Sequence, residues 1–89
     1  MAKKRRKLNK DFERKIYSSK KNVELVLAKI YDIDDEDIQK EYLSAFNKVV
    51  YLYDGLNEDY ELLGFNENSE ELLLKYKNAF NIFESEFEI

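Results

Sequence analysis

Apolar side chains at Leu8, Phe12, Ile16, Val23, Val26, Leu27, Ile30 and Ile33 recur at the three- and four-residue steps of one helix face. Ser19 stands in the one gap of that face. The phase is the same on both sides of it, which predicts one helix running through Ser18 and Ser19. Two shorter helices are the competing reading, because hydroxyls at that point compete for backbone hydrogen bonds. Asn9 is placed to cap the start, its side-chain oxygen accepting from an unpaired amide of the first turn.

A second face follows at Ile38, Tyr42, Ala45, Phe46, Val49, Leu52, Tyr53 and Leu56. Asp34 suits its N-cap, with Asp35, Glu36 and Asp37 against the positive end of the helix dipole. Gly55 reads as its stop. Asn57 then opens a short helix over residues 58–63 that closes at Gly64, and Asn68 with Glu71 three positions on has the spacing of a capping box. Leu72, Leu73, Tyr76, Ala79, Phe80, Phe83 and Phe87 form the stripe of a last helix. Beyond it, residues 84–89 alternate polar and apolar, so that the end either frays or extends.

The expected fold is therefore all-α. It is a small, up-and-down antiparallel helical bundle of three longer helices plus one short helix, with a basic N-terminal arm. Residues 1–8 form the arm and residues 9–89 a single helical domain. The aromatic stripes of the second and last helices are expected to face each other.

Composition narrows the function. Cysteine, histidine and proline are absent and glycine occurs only at Gly55 and Gly64. Disulfides, thiolate or imidazole metal sites, the commonest general base and glycine-rich phosphate loops go with them. No cofactor and no enzymatic activity are expected. No apolar run approaches the roughly 18 residues of a membrane span. The basic start is followed by no apolar signal segment, so an intracellular, cytoplasmic protein is expected. The richness in Lys, Asn, Glu, Ile, Tyr and Phe is a bias of AT-rich coding sequence and points toward a phage, plasmid or other mobile element.

Charge is distributed unevenly. Residues 1–22 carry ten Lys or Arg and two acids, a net of +8, while the other 67 carry five basic and seventeen acidic residues, a net of −12. Lys3, Lys4, Arg5, Arg6 and Lys7, continued by Lys10, Arg14 and Lys15, are candidate phosphate contacts, since clustered cations gain from counterion release. No aromatic residue is interleaved among the arm's charges, so base stacking is not indicated. An import signal and a solvated tail are the other readings of the arm.

The run at Asp32, Asp34, Asp35, Glu36 and Asp37 begins like a calcium loop. Its sixth position is Asp37 where glycine is required and its twelfth is Leu43 where glutamate is required, so helix capping is the better account and no metal is expected. Asp34, Asp35, Glu36, Asp37, Glu41, Asp54, Glu58, Asp59 and Glu61 form a candidate acidic surface for a protein partner. Leu43 with Val50, and Leu74 near Ile82, lie off the main stripes and are candidate contact patches.

These features predict a non-enzymatic binding protein, a small regulator or inhibitor whose acidic body engages a protein while its basic arm contacts RNA or DNA. One alternative is an acidic mimic of nucleic acid that inhibits a nucleic-acid-binding protein and binds none itself. Another is a homodimeric structural or assembly protein.

Overall fold

The computed structural model describes residues 7–89, and Lys3, Lys4, Arg5 and Arg6 of the basic arm lie outside the described residues. Among those described, the chain forms three helices: α1 (Lys10–Tyr31), α2 (Glu36–Leu63) and α3 (Ser69–Glu86). No helix among them is long and apolar enough to cross a membrane.

The first helix is continuous. Asn9 caps it as expected, its Oδ1 accepting from the Phe12 amide at 3.0 Å. The Ser19 hydroxyl donates back to the Lys15 carbonyl at 2.8 Å, so it satisfies itself within the helix without breaking it. The turn into α2 is closed by Gln39, whose side-chain amide donates to the carbonyls of Ile30, Tyr31 and Ile33 at 3.2–3.4 Å. The first two are among the groups a helix C-terminus leaves without an internal partner. The cap of α2 is Asp35, one residue later than the pattern suggested; its Oδ1 accepts from the Asp37 and Ile38 amides.

The separate short helix is not formed. α2 runs through Gly55 to Leu63, and Asn57, expected as a cap, lies inside it and donates to Glu61 Oε1. Gly55 is exposed, and nothing lies within 4 Å of where a Cβ would stand. A glycine there weakens a helix without ending it, because Leu52, Tyr53, Leu56 and Tyr60 hold the backbone to the core on either side. Gly64 is the stop. Its φ of 72° and ψ of −162° lie in a region essentially reserved for glycine.

The capping box at Asn68 and Glu71 is also replaced. Asn68 makes no side-chain cap bond, and Asn66 organises the turn instead. Its Oδ1 accepts from the Asn68 amide at 2.8 Å, its Nδ2 donates to Asp59 Oδ1 at 2.8 Å and to the Gly64 carbonyl at 3.0 Å, and its own amide donates to the buried Ser69 hydroxyl. At the far end Phe87 is docked. Its ring lies 4.8 Å from Tyr42 and 5.0 Å from Phe83, and the Tyr42 hydroxyl donates to the Glu88 carbonyl at 3.2 Å.

One core cluster joins the three helices. Phe12, Ile16, Val23, Val26 and Ile30 meet Phe46, Val49, Tyr53, Leu56 and Tyr60 from α2, and Leu73, Tyr76 and Phe83 from α3. The aromatic stripes of α2 and α3 face each other, with Phe46 4.8 Å from Phe83 and 6.1 Å from Phe80, and Tyr53 6.1 Å from Tyr76. α2, about 42 Å long at 1.5 Å per residue, packs against both neighbours, whereas α1 and α3 approach each other at few points.

Merging the short helix into α2 reverses the expected course of the last one. Four alternating helices would set the last antiparallel to the first; with three, α1 and α3 run parallel, side by side across α2.

Candidate functional site

The parallel course of α1 and α3 leaves a groove between them of about 650 Å³. Tyr76 and Val26, both buried, and the half-buried Phe80 supply its apolar floor. Arg14, Lys15 and Lys29 stand on the α1 wall and Lys77 on the α3 wall, with Glu84 the acid among the lining residues. Leu25, 56% exposed, and Ile89, 40% exposed, extend the apolar lining toward the open side.

Tyr76 closes the bottom of this groove. Its hydroxyl donates to the Ser19 carbonyl at 3.2 Å, which joins α3 to α1 directly. Burial raises the pKa of this phenol above the ordinary 10.0, the side-chain hydroxyl of Ser19 opposes the rise, and Tyr53 and Glu84 add to it. Tyr53 is raised in the same direction, first by burial and then by Asp54, Glu24 and Glu61. Both phenols therefore remain protonated donors at neutral pH. The chemistry the groove presents is cationic, amide and apolar, suited to recognition.

The candidate phosphate contacts among the described residues do not form one patch. Lys7 is tied through its backbone to the α2–α3 turn, its carbonyl accepting from the Phe65 amide at 2.6 Å beside Gly64. Above it, the Tyr60 hydroxyl accepts from the Asn9 amide at 3.0 Å and donates to Glu13 Oε2, which fixes the entry to α1. Arg14 and Lys15 turn toward the groove, and Arg14 also makes an exposed 3.6 Å ion pair with Asp11. Lys10, Lys20 and Lys21 are exposed on α1, with the Lys21 ammonium 5.3 Å from the centre of the Tyr17 ring.

The acidic residues form two clusters. Asp34, Asp35, Glu36, Asp37 and Glu41 occupy the α1–α2 turn and the start of α2, while Asp54, Glu58, Asp59 and Glu61 lie in its last turns. Glu41 and Asp54 are about 20 Å apart along the helix at 1.5 Å per residue. Asp59 is engaged by Asn66, and Glu61 by Asn57. No group of three or more acids among the described residues is arranged to hold a metal ion.

Of the off-stripe apolar residues, Leu43 and Val50 are half-buried against the core and line a shallow second groove with Leu27 and Tyr31, while Leu74 and Ile82 are exposed. Sequence reasoning did not reach Lys29 and Lys77 as site residues. Neither belongs to the basic cluster of residues 3–21, and only the parallel packing of α1 and α3 brings them to one groove. Comparison with known proteins finds no matching family model, no matching curated protein and no matching solved structure, so the functional reading rests on this chain's own residues.

Proposed function

We propose that the protein is a non-enzymatic binding module that contacts RNA or DNA phosphates through its basic arm and α1 while its helical body engages a protein partner. The observation that carries this reading is the segregation of charge by helix. α1 bears six basic residues (Lys10, Arg14, Lys15, Lys20, Lys21 and Lys29) against three acids (Asp11, Glu13 and Glu24), a net of +3. α2 bears seven acids and two lysines, a net of −5.

The positive helix stands beside the negative one, and the basic sequence of residues 3–7 leads directly into it. Like charges gathered on the exposed face of one helix gain little for folding, whereas they neutralise a phosphate backbone by releasing its counterions. The acids of α2, set on another helix, disfavour docking of nucleic acid beside them and leave the rest of the body to a protein. A small regulator or inhibitor would have this division of labour.

Fluorescence anisotropy with labelled RNA and DNA duplexes at low salt tests it. Binding with little dependence on sequence is expected. Absence of binding to either at low salt overturns the nucleic-acid role and favours the acidic-mimic alternative.

A further inference from the structure

We infer that the groove between α1 and α3 receives an acidic amphipathic helix from a protein partner. This names the partner surface in the function proposed above and rests on that reading. A bundle whose middle helix packs against two neighbours that scarcely touch each other has room for one more helix along the open seam. Its floor of Val26, Tyr76 and Phe80 offers what an apolar helix stripe needs, and a helix in the seam would cover the exposed apolar surface of Leu25 and Ile89.

Charge selects the occupant. On a body that is acidic overall, the groove is bordered by Arg14, Lys15, Lys29 and Lys77 against Glu84, so a helix with carboxylates flanking its apolar stripe is attracted and a basic helix repelled. From Arg14 to Lys29 the wall is about 22 Å long at 1.5 Å per residue, the length of four helical turns. A second copy of this chain is a poorer fit, because its α1 is basic. Nucleic acid is also poorly matched here, since the apolar floor gives a phosphate backbone nothing to pair with.

The test uses the full chain and three labelled peptides of about 16 residues, the length set by the groove. One has a leucine stripe flanked by Glu, one the same stripe flanked by Lys, and one the Glu composition scrambled so that no stripe forms. The first is expected to bind and the other two are not. Lys15→Glu with Lys77→Glu is expected to weaken that binding about tenfold or more, whereas Lys20→Glu with Lys21→Glu, the same charge change away from the groove, leaves it within about twofold. Amide shifts on titration should concentrate at Asn22, Val26, Lys77 and Asn81.

Equal binding of the scrambled peptide, equal loss in both double variants, or shifts outside the groove would each overturn the inference. Duplex RNA that shifts the amides of Val26 and Asn81 in the groove as the peptide does would overturn it too, reassigning the groove to nucleic acid. Nucleic-acid binding measured on the same variants separates the two readings: a chain that binds duplex but no peptide keeps the function and loses the groove.

Discussion

The Tyr76 hydroxyl donates to the Ser19 carbonyl at 3.2 Å, so the one polar position in the apolar face of α1 lies where a side chain of α3 reaches its backbone. Ser19 is 3% exposed and Tyr76 2% exposed. A side chain no larger than serine lets the tyrosine ring reach the backbone of the other helix. Ser19→Ala is therefore expected to change stability by less than about 0.5 kcal/mol, since the bond its hydroxyl donates runs to its own helix. Ser19→Leu, which restores the apolar pattern, is expected to destabilise by about 1 to 3 kcal/mol through overpacking. Tyr76→Phe should cost about 1 kcal/mol. Urea unfolding of the three variants checks the order; a Ser19→Leu protein as stable as wild type would show that the close crossing is not needed.

Alkaline pH should find the same crossing. The folded chain holds the protons of Tyr53 and Tyr76 more tightly than the unfolded chain, whose phenols titrate near 10.0. The stability linked to these two groups is fully present below pH 10.0 and is lost as pH rises through the raised folded values, because the unfolded state then releases protons first. Chemical unfolding followed across this range, with tyrosinate absorbance recorded alongside, should show a decline that begins near the ordinary phenol value. Replacing both tyrosines with phenylalanine should flatten that decline.

The two glycines should respond oppositely to alanine. Gly55 lies inside α2 with open space around it, so Gly55→Ala is expected to stabilise by about 0.5 to 1 kcal/mol by favouring the helix and restricting the unfolded chain. Gly64, at φ 72° and ψ −162°, takes a conformation strained for any side chain, and Gly64→Ala should cost about 1 to 3 kcal/mol. Thermal melts of both variants decide it. A destabilising Gly55→Ala would mean that α2 bends or breaks there.

That contrast marks where the sequence is legible and where it is not. The apolar stripes locate the three long helices and nearly all the core, because periodicity reports the buried face directly. Asn9 is readable as a cap because the bond it makes is local. Gly55 and Gly64 look alike in sequence, and what separates them is tertiary: Leu56 and Tyr60 are buried beyond the first, whereas Lys7 and Phe65 cross beside the second. Misplacing that one boundary adds a helix and reverses the direction of α3. The groove cations Lys29 and Lys77 stay hidden for the same reason, since their proximity depends on how two helices far apart in sequence are oriented. Gln39 and Asn66 escape notice because their partners are carbonyls and side chains up to nine residues away.

Core truncations should rank by burial. Phe46 is fully buried and packs on Phe80 and Phe83, so Phe46→Ala is expected to cost about 3 to 5 kcal/mol. A domain of this size has only about 5 to 15 kcal/mol in total. Phe80 is half-buried at the groove, and Phe80→Ala should cost about 2 kcal/mol. The same substitution is expected to weaken the acidic amphipathic peptide more than it weakens folding. Comparing unfolding with peptide titration in one variant shows whether that ring serves the groove as well as the core.

Salt dependence separates the two halves of the proposed function. If α1 carries phosphate contacts, duplex affinity should fall linearly with the logarithm of salt concentration, and each contacting lysine removed should flatten the slope by about one. Lys20 and Lys21 are exposed and lie outside the groove lining, so Lys20→Ala with Lys21→Ala should flatten it by about two. Lys29→Ala, at the far end of the groove, should leave the slope nearly unchanged while weakening the acidic peptide. Asp54→Asn with Glu58→Gln relieves repulsion from α2 and should strengthen duplex binding modestly at low salt, with the gain vanishing as screening increases. A slope unaffected by Lys20 and Lys21 would place any phosphate contact on the other cations of the arm and α1.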